Sequence, residues 1–297
     1  MVASDTRNRP SPVADGSPLA IVTGAGSLPY AVADAAAKQG RQVVLLALRD
    51  AADAERVSAY RHHWFKFGQI GRCIALARSE GCREIVFIGG LVRPAIAHLW
   101  NDFGIIRHLP QLIGLLRGGD NQMLTGFARI LEAEGFRVSG AHEVAPEILM
   151  PKGTLGRRKP TAQDWSDLKR GLALLRAIGP FDVGQAVVVA EDRVLAIEAA
   201  EGTDEVLKRL AEHRASGRVR WSAGTGVLVK AVKPGQDHRI DLPSVGPRTV
   251  ELTARASLAG IAVTASSTVV AEADRIADSA DRAKVFVVGV DADAAEL

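Results

Sequence analysis

Short apolar runs alternate with longer amphipathic stretches along the first half of the chain. Leu19 to Thr23 and Gln42 to Leu48 predict two strands, and Glu84 to Ile88 predicts a third. An alanine-rich stretch from Tyr30 to Lys38 and a segment from Gln69 to Glu80 predict helices between them. Strands and helices that alternate in this way form a parallel sheet covered by helices, and ligands bind beyond the carboxyl ends of its strands.

The second half of the chain has a different pattern, mostly strands with two or three helices. A helix from Ala162 to Ile178 opens it, and a hairpin is predicted to pair Gln185 to Val189 with Val194 to Glu198. The other predicted elements are a helix from Thr203 to His213 capped by Thr203 or Asp204, a strand from Gly226 to Lys230, a helix from Pro247 to Ser257, and strands around Ile261 to Val263 and Val285 to Val288.

These patterns predict the α/β fold class in two domains. The 297 residues are enough for two domains of about 100–200 residues each. A segment rich in Pro, Gly, Lys and Arg, residues 151–161, is the predicted linker between an N-terminal domain of residues 18–150 and a C-terminal domain of residues 162–297. Residues 1–17 are polar and contain prolines, and we expect them to be a disordered lead-in.

Composition narrows the classes of function. Hydrophobic residues make up 47% of the chain, which is enough for a large core, and a net charge of +3 gives no reason to expect nucleic-acid binding. The chain has no charge-free apolar run of about 18 residues, and its N-terminus lacks the apolar segment of a secretory signal. The two cysteines, Cys73 and Cys82, cannot form a structural zinc site alone, so a reduced, cytoplasmic setting is expected.

Glycine loops follow two of the predicted strands. Gly24 to Pro29 has glycines that let a backbone approach a phosphate, and the following helix start favours an anion, but the third glycine of the dinucleotide pattern is replaced by proline. Asp50 follows the next strand at the distance expected for a ribose contact. The second loop is Gly89 to Pro94, where the glycines could accommodate a ligand and Arg93 could reach a phosphate; Asp120, within a Gly-Gly-Asp-Asn sequence, is a further candidate. Tight turns and surface positions account for the same residues equally well.

A cluster of charged residues follows the strand that ends at Lys230. Lys233, Asp237, Arg239 and Asp241 lie within the next eleven residues. Cations suit a pyrophosphate, and carboxylates suit Mg²⁺, which could neutralise developing charge and activate a water. In an extended segment Asp237 and Asp241 would face the same side, because their spacing is even. The alternative is a polar loop between a strand and a helix.

Two further positions are candidates for ligand contacts. Thr203 and Asp204 lie where a strand meets a helix, where they could cap the helix, contact a ligand or do both. His142 could act as an acid, a base or a hydrogen-bonding partner, or it could be structural. The chain has no Gly-x-Ser-x-Gly elbow and no Walker A lysine, so a hydrolase of phosphoanhydrides with this sequence would use a carboxylate-rich site with one or few metal ions.

Taken together and in order, short motifs of this chain resemble the LpxI-type UDP-2,3-diacylglucosamine diphosphatases of Gram-negative bacteria. The similarity runs from about Leu19 to Val290. The matching segments are Gly26 to Pro29, Phe67-Gly68, Gly89 to Pro94, Gly118 to Asp120, Gly135 to Val144, Asp182 to Gln185, Glu201 to Asp204, Lys233 to Gln236, and Arg239 to Pro243 with Gly246.

The resemblance implies a Rossmann-like N-terminal domain, a catalytic α/β C-terminal domain and a substrate held between them. It implies a homodimer that uses Mg²⁺ to hydrolyse UDP-2,3-diacylglucosamine to lipid X and UMP in lipid A biosynthesis. The expected catalytic residues are Asp241, as general base or as a metal ligand with Asp237, and Lys233. The expected substrate contacts are Gly26, Ser27, Leu28, Gly90, Arg93, Asp120, His142, Gln185, Thr203, Asp204, Lys230, Gln236 and Arg239.

The chain departs from the family pattern at two turns. The family reads Ala-Gly-Leu where this chain has Ala256-Ser257-Leu258, and Glu-Ala-Gly where it has Thr264-Ala265-Ser266.

Two other functions stay open from the residues: a binding protein for a lipid-linked nucleotide sugar, and an NAD-dependent nucleotide-sugar oxidoreductase. The resemblance implies a cytoplasmic protein whose amphipathic substrate is compatible with peripheral contact at the inner membrane.

Overall fold

The computed structural model describes residues 16–66, 68–90, 120–233, 237–240, 242–270 and 272–294, with the backbone alone for residues 120–124. The chain divides into two compact units, and the division falls between Val144 and Ala145. Both units combine helices with sheets, which confirms the predicted two-domain α/β class. In the part of the chain that the structure describes, no helix is both long and apolar enough to cross a membrane.

The described residues of the first unit form a five-stranded parallel sheet. Its strand order is β3-β2-β1-β4-β5. Strands β2 and β3 are added on one side of β1 and strands β4 and β5 on the other, so the order of the strands reverses between β1 and β4. All five residues of β1 are buried, as expected for a central parallel strand covered on both faces. The strands are β1 Leu19–Thr23, β2 Val43–Leu48, β3 His62–Phe65, β4 Glu84–Ile88 and β5 Arg137–Ser139, and the helices are α1 Leu28–Lys38, α2 Ala54–Val57, α3 Ile70–Ser79, α4 Asp120–Ala133 and α5 Ala141–Val144.

The second unit contains a six-stranded mixed sheet in the order β6-β13-β11-β9-β7-β8. Strands β9, β11 and β13 are parallel, whereas β6 and β7 run antiparallel to their neighbours. Its strands are β6 Gly153–Leu155, β7 Ala186–Ala190, β8 Arg193–Ile197, β9 Val227–Lys230, β11 Gly260–Thr264 and β13 Phe286–Val290; a separate parallel pair is β10 Ser244–Val245 with β12 Val269–Val270. Its α-helices are α6 Ala162–Ile178, α7 Thr203–Ala215, α8 Pro247–Arg255 and α9 Ala273–Ala283.

The predicted hairpin between β7 and β8 forms, with a two-residue turn. Glu191 and Asp192 both have positive φ, 54° and 60°, as a type I′ turn requires. The Asp167 side chain, 0% exposed, accepts hydrogen bonds from the backbone amides of Glu191 at 3.1 Å and Asp192 at 2.7 Å. A buried carboxylate therefore replaces the water that this turn would otherwise need.

The segment expected to be a linker belongs to the second unit. Gly153–Leu155 pairs antiparallel with β13, with Thr154 opposite Val288, and so forms an edge of the six-stranded sheet. The prolines, glycines and basic residues around it hid a strand of three residues from the pattern. Helix α9 was also not predicted, because its buried face consists of Ile276 and Ala280 among small and charged residues.

The two departures from the family pattern fall on residues with left-handed backbones. Ser257, just beyond the C-terminal end of α8, has a φ of 58°, and Ser266, in the turn after β11, has a φ of 56°. For a residue with a Cβ this conformation costs about 1–2 kcal/mol, whereas glycine adopts it freely. The glycines of the family pattern fit these backbones, and the serines of this chain are strained in them.

Replacing either serine by glycine is expected to stabilise the protein. We expect Ser257→Gly and Ser266→Gly each to raise the free energy of unfolding by about 0.5–1 kcal/mol, the relief of strain less the extra chain entropy of glycine. Urea unfolding measures the change. Ser216→Gly is the control, since Ser216 ends α7 with a φ of −77° and should only lose stability on this change. A loss at Ser257 and Ser266 as well would contradict the interpretation.

Candidate functional site

The two glycine loops of the first unit meet at one edge of its sheet. Ala25 and Gly90 exchange two backbone hydrogen bonds, Ala25 N–H to Gly90 O at 2.8 Å and Gly90 N–H to Ala25 O at 2.9 Å. A Cβ built on Gly24 would lie 2.5 Å from Gly90 O, and one on Gly89 would lie 2.8 Å from Ala25 O. Close approach of two backbones therefore requires these glycines, and the prediction that both loops share one rim is confirmed.

Two other predicted contact regions of the first unit, Gly26 to Leu28 and His142, follow the carboxyl ends of the parallel strands β1 and β5. Gly26, Ser27 and Leu28 lead into α1, and the Ser27 side chain makes no capping hydrogen bond there. His142 lies in α5, which follows the carboxyl end of β5, a strand parallel to β4. Asp120 begins α4, where only the backbone is described, and Arg93 lies outside the described residues.

At one edge of the sheet in the second unit, formed by the ends of its strands, two buried charged residues lie at the ends of β9 and β8, the strands on either side of β7. Lys230, the last residue of β9, is 5% exposed, and its Nζ donates to the backbone oxygen of Ser244 at 3.0 Å. Its strand partner Ala186 begins β7, and Glu198, 6% exposed, follows β8 at that end of the sheet. Buried charges need polar partners, so these two residues determine which segments come close to them.

The Glu198 carboxylate joins the segment before β7 to the start of α7. Its Oε1 accepts the hydroxyl hydrogen of Thr203 at 2.9 Å, and its Oε2 accepts the backbone N–H of Gln185 at 3.1 Å. Thr203 therefore does not cap α7 as expected, and neither does Asp204; the N-cap residue is Gly202. Sequence analysis did not single out Glu198, because a glutamate that closes an exposed edge strand resembles an ordinary surface residue.

The other predicted residues of this edge take part in ion pairs. Lys233 is 16% exposed, and its Nζ donates to Oδ1 of Asp182, in the segment that leads to Gln185. Asp204 in the first turn of α7 pairs with Arg248 in the first turn of α8, Nε to Oδ2 at 2.7 Å. Both pairs bring charged groups of separate segments to the edge that holds Lys230 and Glu198.

The loop between β9 and β10 differs from the expected extended segment. Residues 237–240 form a turn closed by the Ile240 N–H and the Asp237 backbone oxygen at 3.0 Å. The Asp237 side chain accepts three hydrogen bonds from Arg239: from the backbone N–H at 3.1 Å, from Nε at 3.0 Å and from Nη2 at 2.7 Å. These bonds hold the pKa of the Asp237 carboxyl below its ordinary value.

This turn removes the basis for Asp237 as a metal ligand. Both of its carboxylate oxygens are engaged by Arg239, so the even spacing to Asp241 does not make a pair of free oxygens. Among the described residues no group of three or more His, Cys, Asp or Glu side chains is arranged to hold a metal ion. Gln236 and Asp241 lie outside the described residues, and the expected metal chemistry rests on Asp241.

Comparison with known proteins assigns both halves of the chain to the same family. Residues 18–148 match the family model described as the LpxI N-terminal domain, and residues 151–288 match the LpxI C-terminal domain. The UDP-2,3-diacylglucosamine pyrophosphatase LpxI of Caulobacter vibrioides is 38% identical over 273 residues, which cover 92% of this chain and 97% of that protein.

A solved structure is similar at a much lower level. The biotin carboxylase domain of the Hydrogenobacter thermophilus 2-oxoglutarate carboxylase aligns with 67% of this chain and 41% of its own, at 13% identity and a TM-score of 0.26. A similarity of this size says nothing about the function of the chain.

The stability contributed by the Asp237–Arg239 pair is expected to depend on pH. Because the folded pKa of Asp237 is lowered, its contribution is full above the unfolded value of about 3.9 and is lost as pH falls through the folded value. The urea midpoint of Asp237→Asn should lie below that of the wild-type protein at neutral pH, and the two should converge in acid.

The control for this measurement is Asp278→Asn. Asp278 is an exposed aspartate of α9 that is in no ion pair among the described residues, so its replacement should move the neutral-pH midpoint less. A difference between Asp237→Asn and wild type that widens on acidification would show that the pair does not stabilise the fold.

Proposed function

Because the chain belongs to the LpxI family, we propose that it hydrolyses the pyrophosphate of UDP-2,3-diacylglucosamine, the activity in the name of the Caulobacter vibrioides relative. The observation that carries the proposal is the coverage of that similarity, 92% of this chain and 97% of the relative, so that neither protein lacks a domain of the other. The buried lysine and the basic groups at the edge of the second sheet are consistent with a polyanionic substrate.

In the proposed reaction, water attacks the β-phosphorus of the substrate. A bond forms between the water oxygen and this phosphorus, the bond to the bridging oxygen breaks, and the electron pair leaves with UMP. The water loses a proton to a base, and the second product is 2,3-diacylglucosamine 1-phosphate, lipid X. Negative charge increases on the bridging oxygen during this step, so cations placed beside it lower the barrier.

Lys230 and Lys233 are the cations that we assign to the pyrophosphate. Lys230 is held by Ser244 and Lys233 by Asp182, so each ammonium group has a fixed position before substrate arrives. Such preorganisation matters, because a charge that is already oriented needs no reorganisation during the reaction. The backbone of Gly26, Ser27, Leu28 and Gly90 is assigned to the nucleotide.

Asp241 is assigned as the residue that activates the water, either as the general base or as the ligand of a Mg²⁺ ion. When bound, Mg²⁺ would neutralise phosphate charge and acidify a coordinated water. We further propose a cytoplasmic homodimer that contacts the inner membrane peripherally, since its substrate is amphipathic, and that has no nucleic-acid partner.

The first test is the release of UMP from UDP-2,3-diacylglucosamine by the purified protein. We expect UMP with Mg²⁺, none with EDTA and its return when Mg²⁺ is added in excess, because the metal is proposed to act in the reaction. Asp241→Ala should lower turnover by at least about a thousandfold, whereas Asp278→Ala, on the surface of α9, should leave it unchanged. Failure to release UMP with any divalent cation would refute the proposal.

The second test concerns Lys233. Lys233→Met keeps the length of the side chain and removes its charge, so kcat/KM should fall by roughly 10²-fold if the ammonium group stabilises the transition state. Lys208→Met is the matched control, since Lys208 is a surface lysine of α7 that pairs with Glu205. If both variants keep wild-type kcat/KM, Lys233 has no part in the chemistry.

A further inference from the structure

The hydroxyl of Thr203 has its single proton committed inside the protein. A hydroxyl donates one hydrogen bond and accepts up to two. The Thr203 proton points to Glu198 Oε1 at 2.9 Å, and a carboxylate can only accept. Among the described residues the Thr203 hydroxyl has no second partner, and the residue is partly exposed. What it presents to a ligand is therefore oxygen lone pairs.

The Glu198 carboxylate is held in place, so it cannot easily turn away from the Thr203 hydroxyl that donates to it. Its backbone N–H donates to Ala186 O at 2.9 Å, and its second carboxylate oxygen accepts the Gln185 N–H at 3.1 Å. The side chain is buried, so turning away from Thr203 would leave a charged oxygen without a partner in a dry site. The carboxylate thus fixes both the place and the polarity of the Thr203 hydroxyl.

We propose that Thr203 recognises a hydrogen-bond donor of the substrate and that Glu198 is the positioning residue that sets this polarity. The inference rests on the proposed function, which puts the substrate at this edge of the sheet. The donors of UDP-2,3-diacylglucosamine are its sugar hydroxyls, its amide N–H and the N–H of uracil. Phosphate oxygens at neutral pH are acceptors, so they are repelled by the lone pairs of Thr203. Lys230 and Lys233 are the residues assigned to bind them.

Glu198→Gln tests the polarity without emptying the site. The glutamine oxygen can accept from Gln185 N–H while its NH₂ donates to the Thr203 oxygen, so the bonds persist and the Thr203 proton turns outward. We expect KM for UDP-2,3-diacylglucosamine to rise roughly tenfold with kcat within about twofold of wild type. Thr203→Val should raise KM similarly, and Thr203→Ser should keep the wild-type value.

The control is Glu212→Gln, the same change at an exposed position of α7, the helix that begins at Thr203, and it should change neither KM nor kcat. A merely structural role for Glu198 would lower kcat through loss of folded enzyme and leave KM unaltered. If Thr203 instead donates to phosphate, Glu198→Gln should lower KM, and this result would overturn the inference. If the wild-type protein releases no UMP, the proposed function fails and this inference fails with it. If the wild-type protein releases UMP but Glu198→Gln leaves KM unchanged, only this inference fails.

Product inhibition locates the donor on the substrate. If it belongs to the acylated glucosamine, Glu198→Gln should weaken inhibition by lipid X and leave inhibition by UMP unchanged. If it belongs to the uridine, the reverse should hold. Unchanged inhibition by both products would contradict the proposed contact.

Discussion

The second unit is organised around two charges that it buries at one edge of its sheet. Lys230 and Glu198 lie at the ends of β9 and β8, the strands on either side of β7, and are almost fully removed from solvent. Removing a charge from water is costly unless hydrogen bonds compensate for it, so their partners are obligatory. Ser244 and Thr203 begin β10 and α7, and Gln185 precedes β7, so three chain segments are fixed by where these two charges lie.

The first unit produces its rim by a different means. There the two loops after β1 and β4 are joined by backbone hydrogen bonds, and the contact is so close that a Cβ cannot fit at Gly24. No side chain is needed for this contact, which leaves the neighbouring amides of α1 to a ligand. The first unit thus presents backbone groups at its rim, whereas the second unit presents side-chain charges at the edge that holds Lys230 and Glu198.

The elements of the central sheets could be predicted, because strands buried on both faces are written as continuous apolar runs. The strands Leu19–Thr23 and Glu84–Ile88 agree residue for residue, and so does one helix, Ala162–Ile178. The edge strands β3 and β6 were not predicted, since β3 is a half-exposed His-His-Trp-Phe sequence and β6 has three residues. Their pairing is decided by the neighbouring strand, which local periodicity does not record.

Individual residues of the site could be predicted from the sequence, but the contacts between them could not. Thr203, Gln185 and Lys230 were named separately, but Glu198, which joins two of them, was missed because its burial depends on the edge it closes. The spacing of Asp237 and Asp241 was interpreted for an extended chain, whereas Arg239, two residues from Asp237, holds residues 237–240 in a turn.

The departures of this chain affect charge and strain more than topology. Ser257 and Ser266 keep the left-handed backbones that glycine would adopt, so the turns retain their shape at an energetic cost. Thr264, where the family pattern has glutamate, is buried at the end of β11, directly after the residue that pairs with Lys230. A neutral threonine there lacks the charge that the family pattern carries at this position. Side chains of adjacent strand residues face opposite sides of the sheet, so Thr264 and Lys230 do not share a face.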